Sequence, residues 1–373
     1  MILFITRKYP PSIGGMEQLS FRLTTEVARQ TDARTISWGR GQWGLPLFVV
    51  WAFCRALVDL FRCDLELIHI GDPVLCPLGC VLGRLARVPV AVTAHGLDII
   101  YPSPIYQAMV RRCLPRMDHV ICISQEALRE CLNRGVQAAR CSVIPPGIDV
   151  RGPVALPGTQ RKALAARWGI PLQDRHVLLT SGRLVPRKGV TLFVAEVLPR
   201  LLAVRDDWIY LVAGDGPERR NIEAVIARKG LSDHVRLLGT VSDSDLAAAY
   251  CLADVFIMPN LPLPGTVEGF GIVVLEARAG GAPVVAAGIE GIREAAGGAD
   301  DSTLVPPGDW PAFVAAIEAW LNRGEGIEAR ELRRQRVLAE FAWPQVAARY
   351  LAVFSEMIGT SGRSKDGIFV HRN

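Results

Sequence analysis

Residues 144–158 read Ile-Pro-Pro-Gly-Ile-Asp-Val-Arg-Gly-Pro-Val-Ala-Leu-Pro-Gly, and seven of these fifteen are proline or glycine. Proline removes a backbone donor and glycine weakens helix formation, so this density forbids a helix and marks a linker. On both sides of it, short β-branched runs alternate with helix-length amphipathic segments such as Met16–Gln30. Before the linker the runs lie near 2–6, 33–38, 65–70, 89–94 and 119–123; after it they lie near 176–181, 209–213, 234–238, 254–258 and 282–286. Continuous apolar strands separated by helices predict parallel sheets covered on both faces. The expected fold is therefore α/β: two Rossmann-like domains, 1–150 and 151–342, with sites where the strand C-termini face a central cleft. A helix over 343–358 follows, beginning Trp-Pro, and then a polar, frayed tail over 359–373.

The composition agrees with this division. A chain of 373 residues exceeds the usual size of one domain, and half of it is hydrophobic with 21% charged, which excludes a disordered protein and a small disulfide scaffold. The net charge of +5 is spread without any run of five like charges, unlike that of a dedicated nucleic-acid binder. The first 150 residues carry 16 Lys and Arg against 12 Asp and Glu, a mild excess suited to anionic ligands or an anionic membrane surface. Nine cysteines, eight of them between Cys54 and Cys141, include no Cys-x-x-Cys pair and mostly stand in apolar runs. They read as small buried hydrophobes in a reducing compartment, not as metal ligands. The N-terminal Met-Ile-Leu-Phe-Ile-Thr-Arg reads as a short strand, not a signal peptide. The most apolar stretch, Leu45–Phe61, contains Arg55 and Asp59 and is too short and too charged to span a bilayer comfortably. A cytoplasmic location is expected.

Four segments carry residue types that suit chemistry. Ser181-Gly-Arg183-Leu-Val-Pro-Arg187-Lys188-Gly189 follows an apolar strand and precedes a helix. Cations on such a turn, beside free helix-start amides, make a diphosphate site; alone, the same turn is equally a solvated basic loop. Glu268-Gly269-Phe270-Gly271-Ile-Val-Val-Leu-Glu276 sets two carboxylates around a glycine turn where a backbone can approach a ligand. Ionised carboxylates there can accept from sugar hydroxyls, or merely answer a helix dipole. Ala94-His95-Gly96-Leu-Asp98 places a histidine at a strand end, and His69 before Gly71-Asp72 is a weaker counterpart. Pro10-Pro-Ser-Ile-Gly14-Gly15-Met-Glu17 lies between the first strand and the first helix and lacks the spacing of a dinucleotide fingerprint.

In this order and on this frame, the four segments resemble the retaining glycosyltransferases of family 4, which have the GT-B fold, from Ile2 to about Ile358. Pro145-Pro-Gly-Ile-Asp149 is similar to the interdomain segment of that family, and Phe341-Ala-Trp343 to the start of its helix crossing back onto the first domain. The resemblance implies a sugar-nucleotide donor on the second domain, with Arg183 and Lys188 on the diphosphate and Glu276 on the ribose. Glu268, Gly269, Phe270 and Gly271 would meet the donor sugar. His95 would reach a sugar hydroxyl across the cleft, and Gly14 and Gly15 would lie against the phosphates. Catalysis is implied for His95, Glu268, Arg183 and Lys188, with the anomeric configuration retained, no cofactor and no divalent metal. An acceptor, a glycan or a lipid-linked sugar, would bind the first domain. The stretch Gly288-Ile-Glu290-Gly291-Ile-Arg293-Glu294 departs from the family's glycine pair and Pro-Glu, which puts a donor contact by that loop in doubt.

Tyr106–Arg116, mixing apolar residues with Arg111, Arg112 and Arg116, reads either as a segment resting on the inner membrane surface near the acceptor, with Leu45–Arg62, or as a basic helix face packed on the sheet. Glu17 is a further acceptor candidate. Only 5 of the 42 basic residues are lysines, as in a GC-rich bacterial genome, where surface-polysaccharide assembly is the natural setting. Two rival readings stay open on the same fold: a sugar-nucleotide epimerase or hydrolase, which consumes donor without acceptor, and a non-catalytic nucleotide-sugar binder.

Overall fold

The computed structural model describes residues 1–12, 14–40, 44–149, 152–170, 175–266, 268–298 and 300–360. These form two units: residues 1–147 with the helix that begins at Trp343, and residues 148–342. Each is built on a six-stranded sheet. Linker residues 150 and 151 and the tail from 361 lie outside the described residues.

In the first unit, β1 (Ile2–Thr6), β2 (Ala33–Ser37), β3 (Leu67–Ile70), β4 (Val90–Ala94), β5 (His119–Cys122) and β6 (Cys141–Val143) pair in the order β2-β1-β3-β4-β5-β6. Every pairing is parallel. β1, β3 and β4 are buried along their whole length, as a strand covered by helices on both faces must be. The helix Trp343–Thr360 belongs to this unit and covers the sheet with Tyr350 and Phe354; the Phe354 ring lies 6.1 Å from Phe4 and 5.7 Å from His69. A Cβ at Gly147 would come within 2.5 Å of the Trp343 ring, so only glycine lets the chain leave the unit beside that indole. The helix continues through Gly359 to Thr360, so these two residues are helical and not part of a frayed tail.

The second unit contains β7 (His176–Ser181), β8 (Trp208–Ala213), β9 (Val235–Gly239), β10 (Val255–Met258), β11 (Val284–Ala287) and β12 (Ser302–Val305), in the order β12-β11-β10-β7-β8-β9 and again parallel. Its core packs Phe193, Trp208, Tyr210 and Phe313 between the sheet and its covering helices. The sequence pattern locates ten of the strands but not β6 and β12. Both are short edges: β6 is only half-buried throughout and β12 buries only its ends, so neither has the apolar run that marks a central strand.

The strand orders fix where a ligand can sit. The chain leaves β7 toward β8 on one side and later returns to β10 on the other, so the crevice beyond the C-termini of β7 and β10 is the topological switch point of this sheet. In the first unit the corresponding point lies between β1 and β3.

Candidate active site

β7 ends at Ser181 and runs straight into the basic turn, while β10 ends at Met258 and delivers Pro259 and Asn260 beside it. Ser181, Gly182, Arg183, Lys188, Pro259 and Asn260 line one small recess. Glycines in the turn and after the neighbouring strand let it pack closely. Gly214, after β8, has φ +142°, and a Cβ there would stand 1.9 Å from the Gly182 carbonyl oxygen; one on Gly216 would stand 2.3 Å from that of Leu184. Gly189, at φ +67°, would collide in the same way with the Pro259 carbonyl at 2.0 Å. Gly214→Ala is therefore expected to push Gly182 out of place, at a cost of about 2–4 kcal/mol. Thermal unfolding, together with nucleoside diphosphate titration, reads this out as a lowered Tm and weakened binding.

Lys188 and Glu268, eighty residues apart in the chain, meet at this point. Glu268 Oε2 accepts from Lys188 Nζ at 2.8 Å, from Asn260 Nδ2 at 2.9 Å and from the Arg187 guanidinium. Burial alone would push the Glu268 carboxyl up, but Lys188 and Arg187 outweigh it and hold it below the usual carboxylate range. Burial pulls the Lys188 ammonium below its ordinary value, with Glu268 working against that. A cation pair that closes on one carboxylate oxygen is equally placed to grip phosphate oxygens. Asn260 is 2% exposed, and its side-chain carbonyl oxygen has no hydrogen-bond partner among the described residues, so it can still accept from a donor. Arg183 is exposed and makes no ion pair among the described residues.

Beyond Glu268 the chain turns at Gly271, φ +75°, and enters the helix Ile272–Ala279. Glu276 stands on that helix and accepts from Tyr250 Oη at 2.8 Å, and the same hydroxyl is 2.7 Å from Ser181 Oγ. A chain from strand end to carboxylate thus fixes the Glu276 rotamer. Phe270 is buried. The divergent loop does touch this segment. The Glu290 carboxylate, on a residue with φ +43°, accepts from the Glu268 backbone N–H, and a Cβ on Gly291 would meet Gly269 and Phe270 at 2.5–2.6 Å. That loop braces the backbone of the Glu268–Gly271 turn. Asn260 and Tyr250 join the candidate site from outside the motifs, while Arg187 and Glu290 stand in the quoted stretches but had no role of their own there. The Gly214-Asp-Gly216-Pro turn could have been found from its glycine spacing after an apolar strand.

Residues 13–151 match the family described as Glycosyltransferase Family 4, and residues 175–323 match Glycosyl transferases group 1. The D-inositol 3-phosphate glycosyltransferase of Geodermatophilus obscurus is 32% identical over 77% of this chain and 67% of its own. The chain belongs to glycosyltransferase family 4. A phosphatidyl-myo-inositol mannosyltransferase of Mycobacterium leprae is 29% identical over 80% of this chain and 75% of its own. Among solved structures, HepE of Anabaena in complex with UDP superposes with a TM-score of 0.74 at 19% identity, covering 95% of this chain and 99% of that one. The fold is GT-B.

The first unit of this glycosyltransferase carries the remaining candidates. His95 follows β4, is 7% exposed, and its Nε2 lies 3.0 Å from the Gly71 carbonyl oxygen. Its backbone N–H donates to both carboxylate oxygens of Asp98, at 3.0 and 3.2 Å. Burial pushes Asp98 up to about 6. His69 is a structural residue: it is buried, bonded to Thr93 Oγ1 at 2.9 Å, and pulled by burial down to about 3, so it is neutral. Gly14 and Gly15 open the helix Gly15–Ala28. Glu17 turns inward, 6% exposed, with Oε1 3.0 Å from Lys8 Nζ, and its carboxylate packs against Gly14. Buried in this way, Glu17 is not a surface contact. Arg111, Arg112 and Arg116 are exposed.

One Asp-x-Asp pair does occur, Asp243-Ser-Asp245. It opens the helix Asp243–Leu252, and Asp245 pairs with Arg167 at 2.9 Å. No group of three or more His, Cys, Asp or Glu among the described residues is arranged to hold a metal ion, and all nine cysteines are free. No helix among the described residues is long and apolar enough to cross a membrane.

Proposed function

We propose that this glycosyltransferase moves a hexose from a UDP- or GDP-linked donor to a glycan or lipid-linked acceptor, with retention and without a metal ion. The observation that carries the reading is the meeting of Lys188, Arg187, Asn260 and Glu268 at the switch point of the second sheet. The relatives named above are a mannosyltransferase and an inositol-phosphate glycosyltransferase, and HepE was solved with UDP, which supports a nucleoside-diphosphate donor.

In the proposed reaction the bond between the anomeric carbon and the diphosphate oxygen breaks, and the diphosphate keeps the electron pair. The new negative charge falls to Lys188, Arg183 and the first amides of the helix after Gly271. Arg187 is added to this set by its place beside Lys188. Glu268, freed from the cations by the diphosphate, accepts from the sugar hydroxyls, and Glu276 accepts from the ribose. His95 and the Gly14-Gly15 turn take the donor contacts that the family pattern gives them. The acceptor hydroxyl attacks from the face the diphosphate leaves, and its proton passes to a departing phosphate oxygen. Retention then needs no enzymic nucleophile. The setting is bacterial surface-polysaccharide assembly, with the enzyme in the cytoplasm and peripheral on the inner face of the plasma membrane.

Thermal unfolding with UDP, GDP and ADP, each with and without EDTA, tests the donor site. One nucleotide at about 100-fold its Kd should add about 2.7 kcal/mol, a rise in Tm of roughly 5–10 °C, unchanged by EDTA. Stabilisation that vanishes with EDTA would remove the metal-free reading. No shift with any nucleotide would remove the donor-site assignment.

A further inference from the structure

The helix Leu45–Arg62 buries Phe48, Ala52, Ala56 and Asp59 against its own unit. Its opposite face is apolar as well: Leu47 is 66% exposed, Val50 62%, Trp51 45% and Phe61 85%. With the exposed Cys54 and Val58, positions 47, 51, 54, 58 and 61 recur at three- and four-residue steps and form one row along nearly the full helix. The helix Cys76–Ala86 packs beside it and adds Val81 and Leu85, 46% and 53% exposed. An ordinary surface helix shows water its polar side; this one does not.

The exposed charges on these helices are all of one sign, and the exposed Asp64 lies just past the end of Leu45–Arg62. Arg55, Arg62 and Arg84 are exposed on the two helices, and Arg111 and Arg112 are exposed on Pro104–Cys113, which packs against Cys76–Ala86. The three helices contain a single acid, Asp59, which is buried and 2.9 Å from Arg34 Nη1.

We infer that this face seats the enzyme on an anionic lipid bilayer. The inference rests on the membrane-peripheral part of the function proposed above and names the surface responsible. Leu47, Trp51 and Phe61 enter the headgroup and acyl boundary, where indole and phenyl rings are favoured, while the arginines meet lipid phosphates. The charge pattern selects this occupant over a second copy of the chain. A two-fold pairing of the face would set five exposed arginines against five, with no exposed acid on any of the three helices.

The test is co-sedimentation of the full chain with phosphatidylcholine vesicles, with and without one-third phosphatidylglycerol, for wild type and Phe61→Ser, without nucleotide. Wild type is expected to pellet with the anionic vesicles, less so as salt rises. Phe61→Ser should bind roughly tenfold more weakly, as loss of one inserted phenyl ring requires. It should also keep the wild-type Tm and the wild-type shift with nucleoside diphosphate, since the side chain is exposed. Wild type left in the supernatant, or Phe61→Ser pelleting like wild type, would overturn the proposal. So would light scattering that shows a wild-type dimer made monomeric by Phe61→Ser. The nucleotide shift is measured without vesicles, so failure of the donor site and failure of the membrane face are separate results.

Discussion

Lys188→Ala is expected to lower sugar transfer by about 100–1,000-fold, the usual cost of removing one donor aimed at developing negative charge. It should also remove most of the stabilisation by nucleoside diphosphate. The side chain is only 13% exposed and its ammonium is 2.8 Å from Glu268, so its charge is already desolvated and pre-placed. Arg183, exposed on the same turn, has to be ordered before it can contribute, so Arg183→Ala should cost less. A second readout separates charge from folding. Glu268 is held below its ordinary value by Lys188 and Arg187, so its contribution to stability is present above the unfolded carboxyl's value and is lost as pH falls through the lower folded one. With Lys188 gone, one cation remains, the folded value rises, and acid unfolding should begin at a higher pH. Turnover equal to wild type in Lys188→Ala would end the diphosphate assignment. An unshifted acid limb would show that Arg187 alone holds Glu268.

The parts of this molecule that were legible in the sequence are those fixed by local patterning. The apolar strand runs, the proline-rich linker and the glycine turns at Gly182 and Gly271 announce themselves, because burial on both faces and positive φ each leave a residue-level mark. The partners of Glu268 did not. Asn260 stands in an apolar, proline-rich stretch, Pro259-Asn-Leu-Pro-Leu-Pro264, and acquires its role only because β10 returns beside β7, a pairing that no local signal encodes. Tyr250 is similar: in its helix it reads as one more aromatic, and only the fold brings its hydroxyl between Ser181 and Glu276. The loop Gly288–Glu294 is a third case: its departure from the family pattern bears on a donor contact, and only the fold shows that Glu290 accepts from the Glu268 amide.

Arg330→Met is expected to destabilise the second unit by about 3–5 kcal/mol, with a Tm fall of about 10 °C. The helix Ile327–Phe341 looks like a solvent helix in sequence, rich in arginine and glutamate, yet it buries Arg330 and Arg333. The Arg330 guanidinium donates to the carbonyls of Val154 at 3.1 Å, Ala253 at 2.9 Å, Cys251 at 2.7 Å and Gly280 at 3.4 Å. Burial pulls it below its ordinary value, and among the described residues no acid pairs with it directly, so its charge is balanced by carbonyl dipoles. Methionine fills similar volume and donates nothing, leaving the four carbonyls short of a partner in a dry environment. The cost is less than four separate bonds, because the desolvation of the guanidinium disappears with it. Arg330→Lys should fall between, since one ammonium has three donors and no planar fork. The effect should also reach the site: this helix packs on Ile272–Ala279, which carries Glu276, so nucleotide affinity should drop along with stability. Urea unfolding at unchanged m-value would attribute the loss to the native state. A Tm within about 2 °C of wild type would mean that water replaces the guanidinium at these carbonyls, and the buried arginine would then be a packing element instead of the clamp described.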